Sequence, residues 1–170
     1  MKKILIFSII MFVGINSEAQ SKLRFIPCFQ QSGMYYSSNH VTIAGYGLGA
    51  GLSINYGKHL TAQTDMNIYW LNGNALSSRL AVGYKKDGKW SPAIYGYFSL
   101  IYGSHTEVLY DDGRRPEMPV AAIGIRIAPI RFENMKGFVS ILEYSYGISR
   151  NKGRINEISL VSMGFNLNGK

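Results

Sequence analysis

Ser104, His105, Thr106 and Glu107 bring a hydroxyl, an imidazole and a carboxylate within four residues, the one place in the chain where such groups crowd together. Acyl transfer or deacylation is the chemistry they would suit, with Ser104 as nucleophile, His105 as base and Glu107 as the acid. A catalytic serine needs its histidine beside it in space and that histidine oriented by an acid. Neighbouring residues of a β-strand point to opposite faces, so Ser104 and His105 diverge unless the strand has already ended. The plainer reading is a polar exit from a strand into a loop.

The other candidates are weaker. Gly45-Tyr46-Gly47-Leu48-Gly49-Ala50-Gly51 has the glycine density of a dinucleotide-binding loop. That loop must end in a helix whose N-terminus faces the phosphates, whereas here the glycines keep a period of two. His40, His59 and His105 fall on separate connections without zinc spacing, and Asp111, Asp112 and Glu117 match no established calcium loop. No metal or cofactor is implied. Arg114 and Arg115, with Arg150, Lys152 and Arg154 further on, form a different kind of group. Arginine binds phosphate bidentately, so two neighbouring loops carrying these side chains could hold an anionic headgroup or an acidic partner. A solvated loop surface needs no such partner.

What positions these residues is a run of strands. From Ala44 to Tyr56 the even positions are Ala, Tyr, Leu, Ala, Leu, Ile and Tyr, and the odd ones are glycine, serine and asparagine. A period of two puts the sets on opposite faces. An apolar band with aromatic ends is what a lipid-facing strand needs. Eight such segments follow one another: about 22–36, 41–56, 60–71, 78–85, 90–102, 120–132, 137–148 and 156–167. Their expected outward sets include Phe25, Phe29 and Tyr35; Leu80, Val82 and Tyr84; Ala121, Ile123, Ile125 and Ile127; Phe138, Leu142, Tyr144 and Tyr146; and Val161, Met163, Phe165 and Leu167. The facing of the fifth and eighth segments stays open, since Ala93, Tyr95 and Tyr97 compete with Ile94, Phe98 and Leu100. Folding the second segment onto the third about Gly57-Lys58-His59 pairs Tyr56 with Leu60, Leu48 with Ile68, Tyr46 with Trp70 and Gly51 with Asp65. Apolar meets apolar at every step. Asp87-Gly88 reads as a two-residue hairpin. Tyr46, Tyr56, Trp70, Tyr84, Tyr95, Tyr144 and Tyr146 would form interfacial girdles.

Residues 1–19 read as a cleaved signal peptide: Lys2 and Lys3, an apolar run over 4–15, then Ser17-Glu18-Ala19. The run is too short for a membrane-spanning helix. Residues 20–170 form one domain. Losing Lys2, Lys3 and Glu18 takes the formal charge from +8 to +7. Export makes lipopolysaccharide phosphate a better partner for that charge than nucleic acid. The single cysteine excludes an internal disulfide. No later stretch is apolar enough for a spanning helix, so membrane entry demands a closed barrel.

With its leader, eight dyad-repeat segments, and short turns alternating with longer connections, residues 21–169 resemble a small outer-membrane β-barrel protein of the OmpX/OmpW-like porin superfamily of Gram-negative bacteria. The resemblance implies an eight-stranded antiparallel up-and-down transmembrane barrel in the outer membrane, a structural or interaction role rather than catalysis, and surface loops meeting lipopolysaccharide or another extracellular macromolecule. It also implies recognition by the barrel-assembly machinery. Gly164-Phe165-Asn166-Leu167 approximates the aromatic ending such proteins carry, although Asn168-Gly169-Lys170 follow it.

In such a barrel the polar faces line a lumen that eight strands leave just wide enough for side chains. Asp65, Arg79, Lys85, Arg126 and Glu143 are the expected lumen charges. Strand folding brings Arg126 opposite Glu143, and Asp65 near Lys85. Buried charges need partners, so a paired network plugging the lumen is expected. Two alternatives remain. One is an outer-leaflet enzyme modifying lipid A through Ser104, His105 and Glu107. The other is a soluble periplasmic lipocalin-like barrel with its apolar face turned inward around a small ligand.

Overall fold

The computed structural model describes residues 23–37, 42–70, 74–103, 119–150 and 153–166, with the backbone alone at 42 and 43. Its strands are β1 (Leu23–Ser37), β2 (Thr42–Tyr56), β3 (Leu60–Trp70), β4 (Ala75–Lys85), β5 (Ala93–Gly103), β6 (Val120–Ala128), β7 (Ile130–Asn134), β8 (Gly137–Ser149) and β9 (Arg154–Phe165). The sheet runs β6-β5-β4-β3-β2-β1-β9-β8-β7, and β6 also pairs with β8, so the sheet closes on itself. Both β6 and β7 pair with β8, on either side of Pro129. They are two halves of one wall strand, and the molecule is an eight-stranded antiparallel barrel without a free edge.

The β2/β3 register is the one the alternation dictates: Tyr56↔Leu60, Leu48↔Ile68, Tyr46↔Trp70 and Gly51↔Asp65. Its turn is tight because Gly57 adopts a φ of 62°, a conformation that costs glycine nothing. The apolar face is outside. Leu48 is 52% exposed, Ile68 48%, Ile125 57% and Leu142 51%, while Asp65 is 1% and Arg126 0% exposed. This is the inverse of a soluble barrel, whose apolar residues would converge inside. The open facing of β5 resolves with Ala93, Tyr95 and Tyr97 inward and Ile94, Phe98 and Tyr102 outward. Tyr95 therefore belongs to the lumen and not to a girdle. The outward tyrosines also satisfy polar neighbours on the wall: Tyr46 Oη accepts from Gln31 Nε2 at 2.6 Å, and Tyr144 Oη donates to Asn156 Oδ1 at 2.7 Å.

Three strands carry an extra residue at one level. Pro129–Ile130, Ile141–Leu142 and Leu160–Val161 are consecutive pairs in which neither side chain is buried, while the residues on either side of each pair are. Leu142 has a φ of 56°, in the left-handed region that a branched residue rarely enters, and here it marks the bulge. The β1/β9 register slips between Gln31 and Ser32 as it crosses this line. Facing changes parity there, so Phe138, expected outside with Leu142, is buried inside at 3% exposure.

The connections differ from expectation in two places. The Asp87-Gly88 turn is not a two-residue hairpin; β4 ends at Lys85 and β5 begins at Ala93. Pro92 has no N–H to offer β4. The chain before it turns to β7 instead, with Ser91 N–H donating to Arg131 O at 2.8 Å and Glu133 N–H to Lys89 O at 2.9 Å. On the opposite end, β4 and β9 begin earlier and β8 runs one residue longer than read, so at that end only residues 104–119 separate the described strands by more than four positions.

Candidate functional site: the charged lumen

Every strand contributes its inward parity to the lumen, and the charged residues there sort into two groups. The middle group centres on Arg126. Its Nη1 donates to Asp65 Oδ2 at 3.2 Å, and its Nη2 donates to Gln30 Oε1 at 2.9 Å and pairs with Glu143. Arg79 pairs with Glu157, lies 3.8 Å from Asp65, and donates to Ser145 Oγ at 3.3 Å. Asn67 donates from Nδ2 to Asp65 Oδ1 at 2.9 Å, and its Oδ1 accepts from Gln30 Nε2 at 2.6 Å. Arg79 also sits 5.0 Å from the centre of the Tyr97 ring. Three carboxylates face two guanidiniums, and each guanidinium touches more than one wall strand.

The second group lies toward the tight turns. Glu133 Oε1 accepts from Lys85 Nζ at 2.6 Å, Arg24 Nη2 at 3.0 Å and Asn55 Nδ2 at 3.0 Å. Its Oε2 pairs with Arg131 Nη2 at 3.2 Å, and Arg131 also bonds the Tyr95 hydroxyl. Here three cations surround one carboxylate. Above both groups, toward the loop end, Met34, Tyr36, Tyr69, Ile101, Val120 and Ile155 pack into an apolar layer across the lumen. Ionic groups thus fill the lower and middle lumen, and hydrocarbon closes the end beyond them.

Asp65, Arg79, Lys85, Arg126 and Glu143 all point inward and are buried. Their pairings differ in detail from the expected ones. Arg126 lies opposite Ser145 in the register and reaches Glu143 on the diagonal. Asp65 lies opposite Arg79, and Lys85 engages Glu133 rather than Asp65, because β3 and β4 fold about a register that puts Lys85 at the barrel mouth. Sequence reasoning missed Arg24, Gln30, Arg131, Glu133 and Glu157. Arg131 and Glu133 were hidden by the parity change at Pro129; a proline inside a strand is the signal that marks such a bulge. Arg24 and Gln30 share the inward parity of β1 and were legible from Phe25 and Phe29 alone.

Ser104, His105, Glu107, Arg114, Arg115 and Lys152 lie outside the described residues. Arg150 and Arg154 are exposed at the loop end. His59 stacks on Tyr84 at the turn end. Among the described residues no group of three or more His, Cys, Asp or Glu could hold a metal ion. Cys28 is buried in the lumen, with Gln63 Nε2 3.6 Å from its sulfur. Among the described residues no nucleophile stands beside a base that an acid orients.

No family model matches the chain, and no curated protein matches it. Among solved structures it is similar to Neisserial surface protein A (NspA), with a TM-score of 0.65 at 14% identity over 84% of this chain and 97% of that one. A looser likeness, TM-score 0.43 at 7% identity over 86% and 99%, is to Ail, the attachment invasion locus protein of Yersinia pestis, in complex with sucrose octasulfate. The first of these shares the barrel fold.

Proposed function

We propose that this chain is an integral outer-membrane protein with a structural or interaction role, exported by a leader over residues 1–19 and inserted as a barrel by the assembly machinery. The observation that carries the reading is the inversion of the barrel wall. Aliphatic and aromatic side chains surround the outside, and nine charged side chains are gathered within. Bilayer hydrocarbon is the solvent for which that arrangement is stable, since the outer band needs an apolar surrounding and the closed sheet satisfies its own backbone. The lumen is plugged. Its charges are cross-braced by ion pairs, and its loop end is closed by an apolar layer. Function then falls to the extracellular loops, where Arg114, Arg115, Arg150, Lys152 and Arg154 contact lipopolysaccharide phosphate or another anionic macromolecule. The protein is not an enzyme in this reading; no observation favours lipid A chemistry at Ser104 and His105. Membrane fractionation followed by gel electrophoresis with and without heating tests it. Co-fractionation with the outer membrane and a folded band that shifts on boiling are expected. A chain recovered in the soluble periplasm, with no such shift, would contradict it.

A further inference from the structure

We propose that a groove on the outer wall at the turn end, crossing β7, β8 and β9, seats one anionic phospholipid of the leaflet that meets the tight turns. This rests on the membrane reading above. The groove is lined by Lys89, Phe132, Lys136, Val139 and Phe165, among others. Phe132, Val139 and Phe165 face outward and are 51%, 42% and 57% exposed, which makes a wall for an acyl chain. Lys89 and Lys136 are exposed and neither has an acidic partner among the described residues. Lys58, on another turn of the same end, is instead paired with Asp87 at 3.4 Å. The one carboxylate lining the groove, Glu133, points into the lumen and is held by Arg24, Lys85 and Arg131, so it does not neutralise the two lysines.

Both lysines stand on fixed backbone. Lys89 O accepts from Glu133 N–H at 2.9 Å, and Lys136 O accepts from Asn166 N–H at 2.8 Å. Asn134 Oδ1 accepts from the N–H groups of Lys136 at 2.8 Å and Gly137 at 3.1 Å, which pins the β7–β8 turn. Trp90 bridges to Phe132 and holds Lys86 4.8 Å from its ring centre, so an interfacial aromatic and a further cation border the same place. Two unpaired ammonium groups above an aromatic wall match a phosphate diester with one chain below it. A zwitterionic lipid, carrying its own cation, fits less well.

Trp90 also supplies the probe. Trp70→Phe leaves it the sole tryptophan of a chain that has two. The refolded protein is placed in phosphatidylcholine bilayers containing a minor fraction of either brominated phosphatidylglycerol or brominated phosphatidylcholine, and Trp90 quenching is titrated. Preference for the anionic lipid is expected on the order of ten-fold, from two surface lysines. It should vanish in K89Q/K136Q, fall partway in either single variant, and persist in Lys58→Gln. Equal quenching by the two lipids overturns the proposal, as does a preference that survives the double variant. Loss of the preference when inorganic phosphate is added at matched ionic strength would assign the site to a soluble anion and also overturn it. Failure of the unmodified protein to enter bilayers at all would instead defeat the membrane reading.

Discussion

Arg126 shows how much of this molecule depends on single side chains. It is fully buried and bonds Asp65 on β3, Gln30 on β1 and Glu143 on β8, tying three wall strands across the lumen. Removing it leaves two carboxylates in a closed interior, and breaking a buried pair in that way costs about 3–5 kcal/mol. Arg126→Met should lower unfolding stability in bilayers by that amount, measured by urea titration. Adding Asp65→Asn and Glu143→Gln should restore much of the loss; no restoration would mean that packing, not charge pairing, holds the lumen. Glycine acts at the same scale. A Cβ at Gly51 would meet Thr64 O and Asp65, and one at Gly47 would meet Ile68 O and the Tyr69 ring. Gly51→Val should therefore abolish the folded band on an unheated gel, whereas Ser53→Ala, two residues on, should leave it. Except for Glu157, the middle-lumen charges were legible at this scale, because Asp65, Arg79, Arg126 and Glu143 each fall on the polar parity set by their neighbours. Glu133 was not. It looked like part of a turn until the bulge at Pro129 turned it inward.

At the scale of elements, the line of extra residues at Pro129, Leu142 and Leu160 sets which face each strand presents. Below it β7, β8 and β9 keep one parity, and above it the other. A one-residue slip moves every side chain of a strand segment to the opposite face. Inserting one alanine between Ile158 and Ser159 should force Glu157 toward lipid and Ile158 into the lumen, and the variant should fail to refold. Leu160→Ala, which keeps the spacing, should fold. Equal refolding of both on the gel-shift assay would show that the register is not set there. The same wall predicts the effect of charge outside: Ile125→Arg should destabilise the barrel by about 2–4 kcal/mol if this position is near the bilayer midplane, whereas a near-interface position would lose about 0–1. The β2/β3 hairpin could be read completely because one tight turn and one unbroken alternation fix its register. The seventh segment could not, since Phe138 and Leu142 share a sequence parity but lie on either side of the bulge. Nothing in local propensity marks Leu142 for positive φ; the distortion is imposed by β6/β7 and β9, which bulge at the same level.

The whole molecule is an apolar cylinder around a nearly neutral ionic core: five buried or mouth-lining cations, Arg24, Lys85, Arg131, Arg79 and Arg126, face four carboxylates. With that core and the apolar layer at the loop end, vesicles containing the protein should exclude small sugars and carry no steady ion current. Rapid swelling would mean that the lumen opens. All five described lysines lie at the turn end, while Arg150 and Arg154 stand at the other, so the two ends of the barrel present different cations. In the proposed reading the partner is met by loop residues whose types suit anions and whose sequence carries no specific motif. The fold was legible because alternation is a direct consequence of strand geometry; a binding partner has no comparable period. The most direct test of the central claim is the solvent each face meets. In a Cys28→Ser background, spin labels would be placed one at a time through Leu48→Cys, Ile68→Cys, Ile125→Cys and Leu142→Cys, with Ser99→Cys and Ser140→Cys as inward controls. In bilayers the first four should show high oxygen and low aqueous nickel-complex accessibility, and the two controls little of either. High accessibility of the four outward positions to the aqueous reagent would contradict the account.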